Sequence, residues 1–133
     1  MPLQPGKTSL GHNPDDKVSA VIATYNRCPN KDKLNHNPLA WAAYSIFQQP
    51  SVSELLVIND CSDDYIYDTL SYIESFAPSS ISIDLITNKK RLGSGKSRNE
   101  GVRHALFDKI FFMDDDCILI GPIIPQLQKA WNY

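Results

Sequence analysis

The stretch VSAVIATYNR, residues 18–27, consists of an apolar run rich in β-branched residues followed by a polar cluster. Such a run predicts a short strand buried on both faces, with the polar cluster beginning where the strand ends. Two further runs, ELLVIN and KIFFM, have the same character, and a fourth segment alternates apolar and polar residues. We therefore predict the strands Val18–Ala23, Glu54–Asn59, Ile81–Thr87 and Lys109–Met113.

Apolar residues at helical spacing fill the segments between and after these strands. They predict a helix that begins near Pro38 and is stopped by Pro50, and a second that begins near Ile66 and runs up to Pro78. A third is predicted over Ser97–Phe107, and a last amphipathic segment covers Ile123–Trp131. The alternation of strands and helices predicts a three-layer, Rossmann-like α/β structure with a mainly parallel sheet and right-handed crossovers.

The apolar side of the third helix is expected to consist of Val102, Ala105 and Leu106. Three aromatic residues at helical spacings are expected in the core rather than in a ligand site, namely Trp41, Phe47 and Phe76.

Polar clusters follow three of the predicted strands, at residues 24–27, 60–64 and 114–116. Parallel strands end at the same edge of a sheet, and ligands of open α/β sheets bind at that edge. We therefore expect Tyr25, Asp60 and Asp116 to lie near one another, although they are far apart in the sequence.

Three consecutive aspartates, Asp114, Asp115 and Asp116, come directly after the fourth strand. Alternate side chains of a strand point to opposite faces, so Asp114 and Asp116 share a face. A divalent cation would relieve the repulsion between them, and an oxygen-only ligand set favours Mg²⁺ or Mn²⁺. The alternative interpretation is a solvated acidic turn or a set of helix caps.

The loop KKRLGSGKSR, residues 89–98, places five positive charges around two glycines. Glycine lets backbone N–H groups approach an anion, and a helix is predicted just after the loop, so diphosphate recognition is one interpretation. An ordinary solvated loop is the other. A P-loop is excluded, because Lys90 occupies the position of its first glycine. After the first and second strands, the Tyr25 ring could stack on a base and Asp60 could accept its N–H, or the two could be a half-buried loop aromatic and an Asx-turn residue.

Composition and charge narrow the classes of partner. The 133 residues carry a net charge of −2, which gives no broad attraction to nucleic acid or to anionic membranes. Three cysteines without a paired motif indicate reduced thiols and a cytoplasmic protein. Residues 1–17 are expected to form a flexible leader, and no apolar run approaches the roughly 20 residues of a membrane span.

Four segments in order resemble the N-terminal half of family-2 glycosyltransferases, which have the GT-A fold. The matching segments are residues 18–27, 54–64, 93–101 and 111–116. The resemblance implies a domain over residues 18–133 that binds a nucleotide-diphosphate sugar, most often a UDP-sugar, for inverting transfer to an acceptor hydroxyl.

The resemblance also implies roles for individual residues. Ala23 and Tyr25 would line the base pocket, Asp60 would hydrogen-bond the base, and Arg98 would lie near base and diphosphate. The nucleotide-binding set also includes Arg27 and Asp115, the latter near the ribose. The metal ligands would be Asp114 and Asp116. Ala23, Asn59 and Arg91 depart from the family's usual proline, aspartate and asparagine.

The family's catalytic base and acceptor surface lie in a second half, so we expect the domain to be incomplete. Residues 117–133 contain no Asp, Glu or His that could serve as a base. Two alternatives remain, a non-catalytic nucleotide-binding module and a nucleotidyltransferase-like domain. An incomplete sheet would also expose an edge, so a homo-oligomer is a further expectation.

Overall fold

The structure is a computed structural model that describes residues 16–131, and residues 1–15 of the predicted leader lie outside that range. Its elements alternate between strand and helix along the chain. The strands are β1 (Val18–Thr24), β2 (Val52–Asn59), β3 (Ser82–Thr87) and β4 (Lys109–Asp114). The α-helices are α1 (Pro38–Phe47), α2 (Ile66–Phe76), α3 (Ser94–His104) and α4 (Ile123–Trp131), and a 3-10 turn spans Leu34–His36.

The four strands form one parallel sheet in the order β3-β2-β1-β4. The register aligns the carboxyl ends of the strands: Ala23 lies beside Ile58 on β2 and beside Asp114 on β4. Because β1 and β2 are central, they are almost wholly buried. The predicted α/β class and the parallel sheet are confirmed.

Helices cover both faces of the sheet. The larger core joins Ile22 and Leu55 of the sheet to residues of α1, α2 and α4, including Leu39, Ile73 and Ile124. The smaller core, on the other face, contains Val21, Leu56 and Ile58. This division follows from the alternation of side chains along each strand.

The third helix differs from its prediction. It spans Ser94–His104 rather than Ser97–Phe107, because Gly93 adopts a φ of 87° just before it and Ala105 is extended just after it. Its buried residues are Ser97 and Gly101, whereas Val102 is half-exposed and Leu106 is 68% exposed. The predicted apolar side was therefore wrong.

The reason is the short distance between α3 and the sheet. A Cβ atom added to Gly101 would lie 2.4 Å from Cγ1 of Val21, so only glycine permits this approach. Trp41 is also a correction, since it is 50% exposed and not part of the core, whereas Phe47 is buried.

Candidate nucleotide and metal site

The loop after β1 is fastened to the loop after β2 by hydrogen bonds. The N–H of Asn26 donates to Oγ of Ser62 at 3.0 Å, and Oδ1 of Asn26 accepts from the N–H of Asp63 at 3.0 Å. The N–H of Cys28 donates to Oδ2 of Asp64 at 2.6 Å. These bonds hold a left-handed backbone at Asn26, with φ of 51°, and so fix the positions of its neighbours Tyr25 and Arg27.

Asp115 is the buried member of the aspartate triplet. Its Oδ2 accepts a hydrogen bond of 2.9 Å from Oγ1 of Thr24, and its Oδ1 accepts one of 3.1 Å from Nε of Arg27. Burial raises the pKa of Asp115, and the contacts with Thr24 and Arg27 oppose that rise. The carboxylate therefore ties the end of β4 to the end of β1.

Asp114 and Asp116 are exposed on either side of this buried residue. Oδ1 of Asp114 pairs with Nη2 of Arg98 at 2.9 Å, and Oδ2 of Asp116 lies 3.5 Å from Nη2 of Arg27. Ligand atoms of Asp114, Asp116 and Cys117 all lie within 4.8 Å of one another.

This donor set fits a hard divalent cation. The two carboxylates are solvent-accessible, close together and balanced only by arginines, which can move aside when a cation brings its own charge. Carboxylate oxygens match Mg²⁺ and Mn²⁺, whereas the Cys117 thiol is a softer ligand that these ions do not need.

Asp60, directly after β2, lies at the centre of a second group of residues. Its Oδ1 accepts from the N–H of Leu92 at 2.7 Å and from Nδ2 of Asn88 at 3.0 Å. Its Oδ2 accepts from the N–H of Gly93 and from Nε of Arg91, both at 3.0 Å. Burial alone would raise the pKa of Asp60, but these four hydrogen bonds outweigh it and lower the pKa.

Tyr25 is connected to this group of residues by the side chain of Arg91. The guanidinium carbon of Arg91 lies 3.5 Å from the centroid of the Tyr25 ring, so the guanidinium covers one face of that ring. Tyr25 is nevertheless exposed. A planar ring therefore lies at the carboxyl edge of the sheet, beside a buried carboxylate.

The structure places every residue of the predicted site at this edge, in two groups. Tyr25 and Asp60 belong to the group around Arg91, and the group around Asp115 is completed by Arg27, Arg98, Asp114 and Asp116. Ala23 lies half-buried in β1, paired with Asp114.

Thr24, Asn88 and Arg91 also contact aspartates of the candidate site, although the sequence alone predicts no specific role for them. Thr24 and Asn88 share a signal that could have identified them, since each is a polar residue at or just after the end of an apolar strand. Both prove to be buried and to hold a site aspartate in place.

Comparisons with known proteins place the chain in a family. A family model described as glycosyl transferase family 2 matches residues 19–132. A Haemophilus influenzae protein described as an uncharacterized glycosyltransferase is 29% identical over 100 residues, which are 74% of this chain and 29% of that protein.

Two solved structures share the fold. The mannosyltransferase PcManGT from Pyrobaculum calidifontis, in complex with GDP-Man and Mn²⁺, gives a TM-score of 0.70 at 18% identity over 84% of this chain and 31% of that chain. S. aureus TarS 1–349 in complex with UDP gives a TM-score of 0.65 at 19% identity over 87% of this chain and 31% of that chain.

The chain thus spans less than a third of the length of these relatives. Within residues 16–131, no helix is both long and apolar enough to cross a membrane. Since the family model accounts for nearly all of the residues from β1 onward, the chain belongs to glycosyl transferase family 2.

Proposed function

We propose that this chain is the donor-binding part of an inverting glycosyltransferase, which takes its sugar from a nucleotide diphosphate, with UDP as the expected nucleotide. The observation that carries the proposal is the pair of exposed carboxylates, Asp114 and Asp116, at the sheet edge that also presents Tyr25 and the first turn of α3. The metal ion, the diphosphate and the base would each bind along this edge of the sheet.

Asp114 and Asp116 would hold the Mn²⁺ or Mg²⁺ ion. Bound there, the cation would neutralise charge on the leaving diphosphate. Asp115 cannot turn toward the cation without giving up its bonds to Thr24 and Arg27, so its role is to hold the acidic turn against β1. A ribose contact of Asp115 remains part of the proposal and requires a free lone pair on that carboxylate.

The diphosphate would lie at the start of α3. The N–H groups of Leu92 and Gly93 are committed to Asp60, so the donors offered to an anion are those of the exposed first turn, Ser94–Lys96. A helix N-terminus favours negative charge, and Lys96 and Arg98 add two positive side chains there. Arg98 also contacts Asp114, which joins the proposed diphosphate and metal sites.

The base would stack on Tyr25. Two relatives of the same fold were solved with nucleotides, GDP-Man in PcManGT and UDP in TarS, which supports a nucleotide at this edge but leaves the base open between uracil and guanine. Transfer would further require a carboxylate to deprotonate the acceptor hydroxyl, and no residue of the described site is free for that task.

The test is calorimetric titration of the purified chain with UDP, GDP and ADP, each with Mn²⁺, with Mg²⁺ and with a chelator. We expect UDP to bind in the presence of either cation and much more weakly with the chelator. If none of the three nucleotides binds under any of these conditions, the acidic turn is a solvated surface feature and the proposal is wrong.

A further inference from the structure

Arg91 contacts both of the groups that the proposed function assigns to the base. Its guanidinium carbon lies over the Tyr25 ring, 3.5 Å from the ring centroid, and its Nε donates to Oδ2 of Asp60 at 3.0 Å. A nucleotide base would make the same two contacts here. Its planar face would stack on Tyr25, and one of its N–H groups would donate a hydrogen bond to Asp60.

Asp60 has no acceptor position left for a base. A carboxylate offers about four lone-pair sites, and the donors from Leu92, Gly93, Asn88 and Arg91 occupy four. A base N–H can therefore reach Asp60 only when one of these donors leaves.

The four donors differ greatly in how easily they can leave. Two are backbone N–H groups of the segment that leads into α3, and the third belongs to Asn88, which is buried and also donates to Oγ of Ser97 at 3.0 Å. The side chain of Arg91 is 53% exposed, so solvent can stabilise its charge once it is released. Arg91 is the exchangeable donor.

We propose that Arg91 is a built-in placeholder for the base: the incoming base displaces its guanidinium from Tyr25 and Asp60 in a single movement. This inference rests on the proposed nucleotide site. It identifies the competitor that the base must overcome, and it explains how Asp60 keeps its hydrogen bonds satisfied when no nucleotide is bound.

The placeholder also restricts the kind of base. Asp60 as a carboxylate only accepts hydrogen bonds, so the base edge that replaces Arg91 Nε must donate one. Uracil and guanine carry a ring N–H that can donate to Asp60, whereas adenine and cytosine have an unprotonated nitrogen at that ring position and can donate only through the exocyclic amino group. Uridine and guanosine nucleotides therefore replace Arg91 Nε with a ring N–H, whereas adenosine and cytidine nucleotides would place a ring-nitrogen lone pair against the carboxylate.

The direct test is the affinity of the Arg91→Ala variant for uridine, which has no phosphate and so is insensitive to the lost positive charge. In this variant the half-exposed ion pair with Asp60 and the cation–π contact with Tyr25 no longer compete with the base. Uridine should therefore bind to the variant about threefold to thirtyfold more tightly than to the wild type. Arg91→Lys keeps the charge but lacks the planar face, and its affinity should fall between the two. Equal or weaker binding of uridine to Arg91→Ala would overturn the placeholder.

NMR follows the movement itself. The Nε–H signal of Arg91, assigned from its absence in Arg91→Lys, should shift on addition of UDP and Mg²⁺, which is diamagnetic, to the position of a free, solvated arginine. A signal that stays at its ion-paired position in the UDP-bound protein would overturn the inference while leaving the proposed function intact. Failure of both the wild type and Arg91→Ala to bind uridine and UDP would overturn the two together. Circular dichroism confirms that each variant is folded.

Discussion

Oγ1 of Thr24 donates a hydrogen bond of 2.9 Å to Oδ2 of Asp115, and both residues are buried. The bond joins the last residue of β1 to the residue directly after β4, which are 91 positions apart in the sequence. It therefore couples the position of the acidic turn to the central strand of the sheet.

Replacement of Thr24 by valine removes this bond and keeps the shape of the side chain. The buried carboxylate loses one of its two donors, so the free energy of unfolding should fall by about 1.5–3 kcal/mol. Thr24→Ser retains the hydroxyl and is the matched control, with a loss of roughly 1 kcal/mol or less from the missing methyl group. Urea unfolding measures both, and a Thr24→Val variant as stable as the wild type would show that the hydroxyl contributes nothing.

The close contact between α3 and β1 predicts opposite effects at two glycines of one helix. Gly101→Ala would place a methyl group 2.4 Å from Val21, so it should destabilise the fold by about 1–3 kcal/mol. Gly95→Ala meets no atom within 4 Å and should stabilise the helix by roughly 0.5–1 kcal/mol. Thermal unfolding of the two variants checks the prediction, and a stabilising Gly101→Ala would contradict the packing.

The lowered pKa of Asp60 predicts a pH-dependent contribution to stability. The unfolded chain binds this proton more readily than the folded protein, so the stabilisation is complete above the ordinary aspartate pKa of about 3.9. It is lost as the pH falls below that value and through the lower pKa of the folded state. Asp60→Asn should therefore lower the free energy of unfolding by roughly 2–3 kcal/mol at neutral pH, because the amide N–H₂ of asparagine would face the hydrogen-bond donors that now surround the carboxylate.

The difference in unfolding free energy between wild type and Asp60→Asn should shrink as the pH is lowered below about 3.9. Urea unfolding at a series of pH values measures it. A difference that stays constant across the acid range would show that ionisation of Asp60 is not what the surrounding donors stabilise.

The three cysteines should differ in reactivity. Cys28 is buried, and desolvation raises its pKa to about 11, so almost none of it is thiolate at pH 8. Cys117 is exposed and Cys61 is partly exposed. A thiol-specific reagent should modify these two in the folded protein and reach Cys28 only after unfolding. Modification of Cys28 at the rate of Cys117 would contradict its burial.

The sequence predicts the sheet well because apolar, β-branched runs have few other structures available. Each predicted strand overlaps its observed counterpart closely, and the meeting of the polar clusters at one edge follows from parallel topology alone. The aspartate triplet at residues 114–116 was singled out in the same way, as charge placed directly after an apolar strand.

The packing of α3 was not predictable from apolar periodicity. Periodicity looks for large side chains, but a helix that approaches a sheet this closely buries its small ones, Ser97 and Gly101, and leaves Val102 half-exposed. The sequence also does not reveal that hydrogen bonds occupy every acceptor position of Asp60. The donors lie 28 to 33 residues away, in a loop whose path only the folded chain defines.

We propose that Asp114 and Asp116 hold a divalent cation that binds the diphosphate of the donor. The most direct test is the affinity for UDP with Mn²⁺ and with a chelator, compared between wild type, Asp116→Ala and Asp84→Ala. Asp84 is the control, because it is an exposed aspartate whose replacement removes the same charge. It lies on β3, the outer strand on the other side of the sheet from β4.

In the wild type and in Asp84→Ala, Mn²⁺ should strengthen UDP binding roughly tenfold or more, since a contact with a charged group is worth about 1.5–3 kcal/mol. In Asp116→Ala most of that gain should disappear. Binding of UDP that is equally strong with the chelator, or an Asp116→Ala variant that keeps the full effect of Mn²⁺, would contradict the metal site and the account built on it.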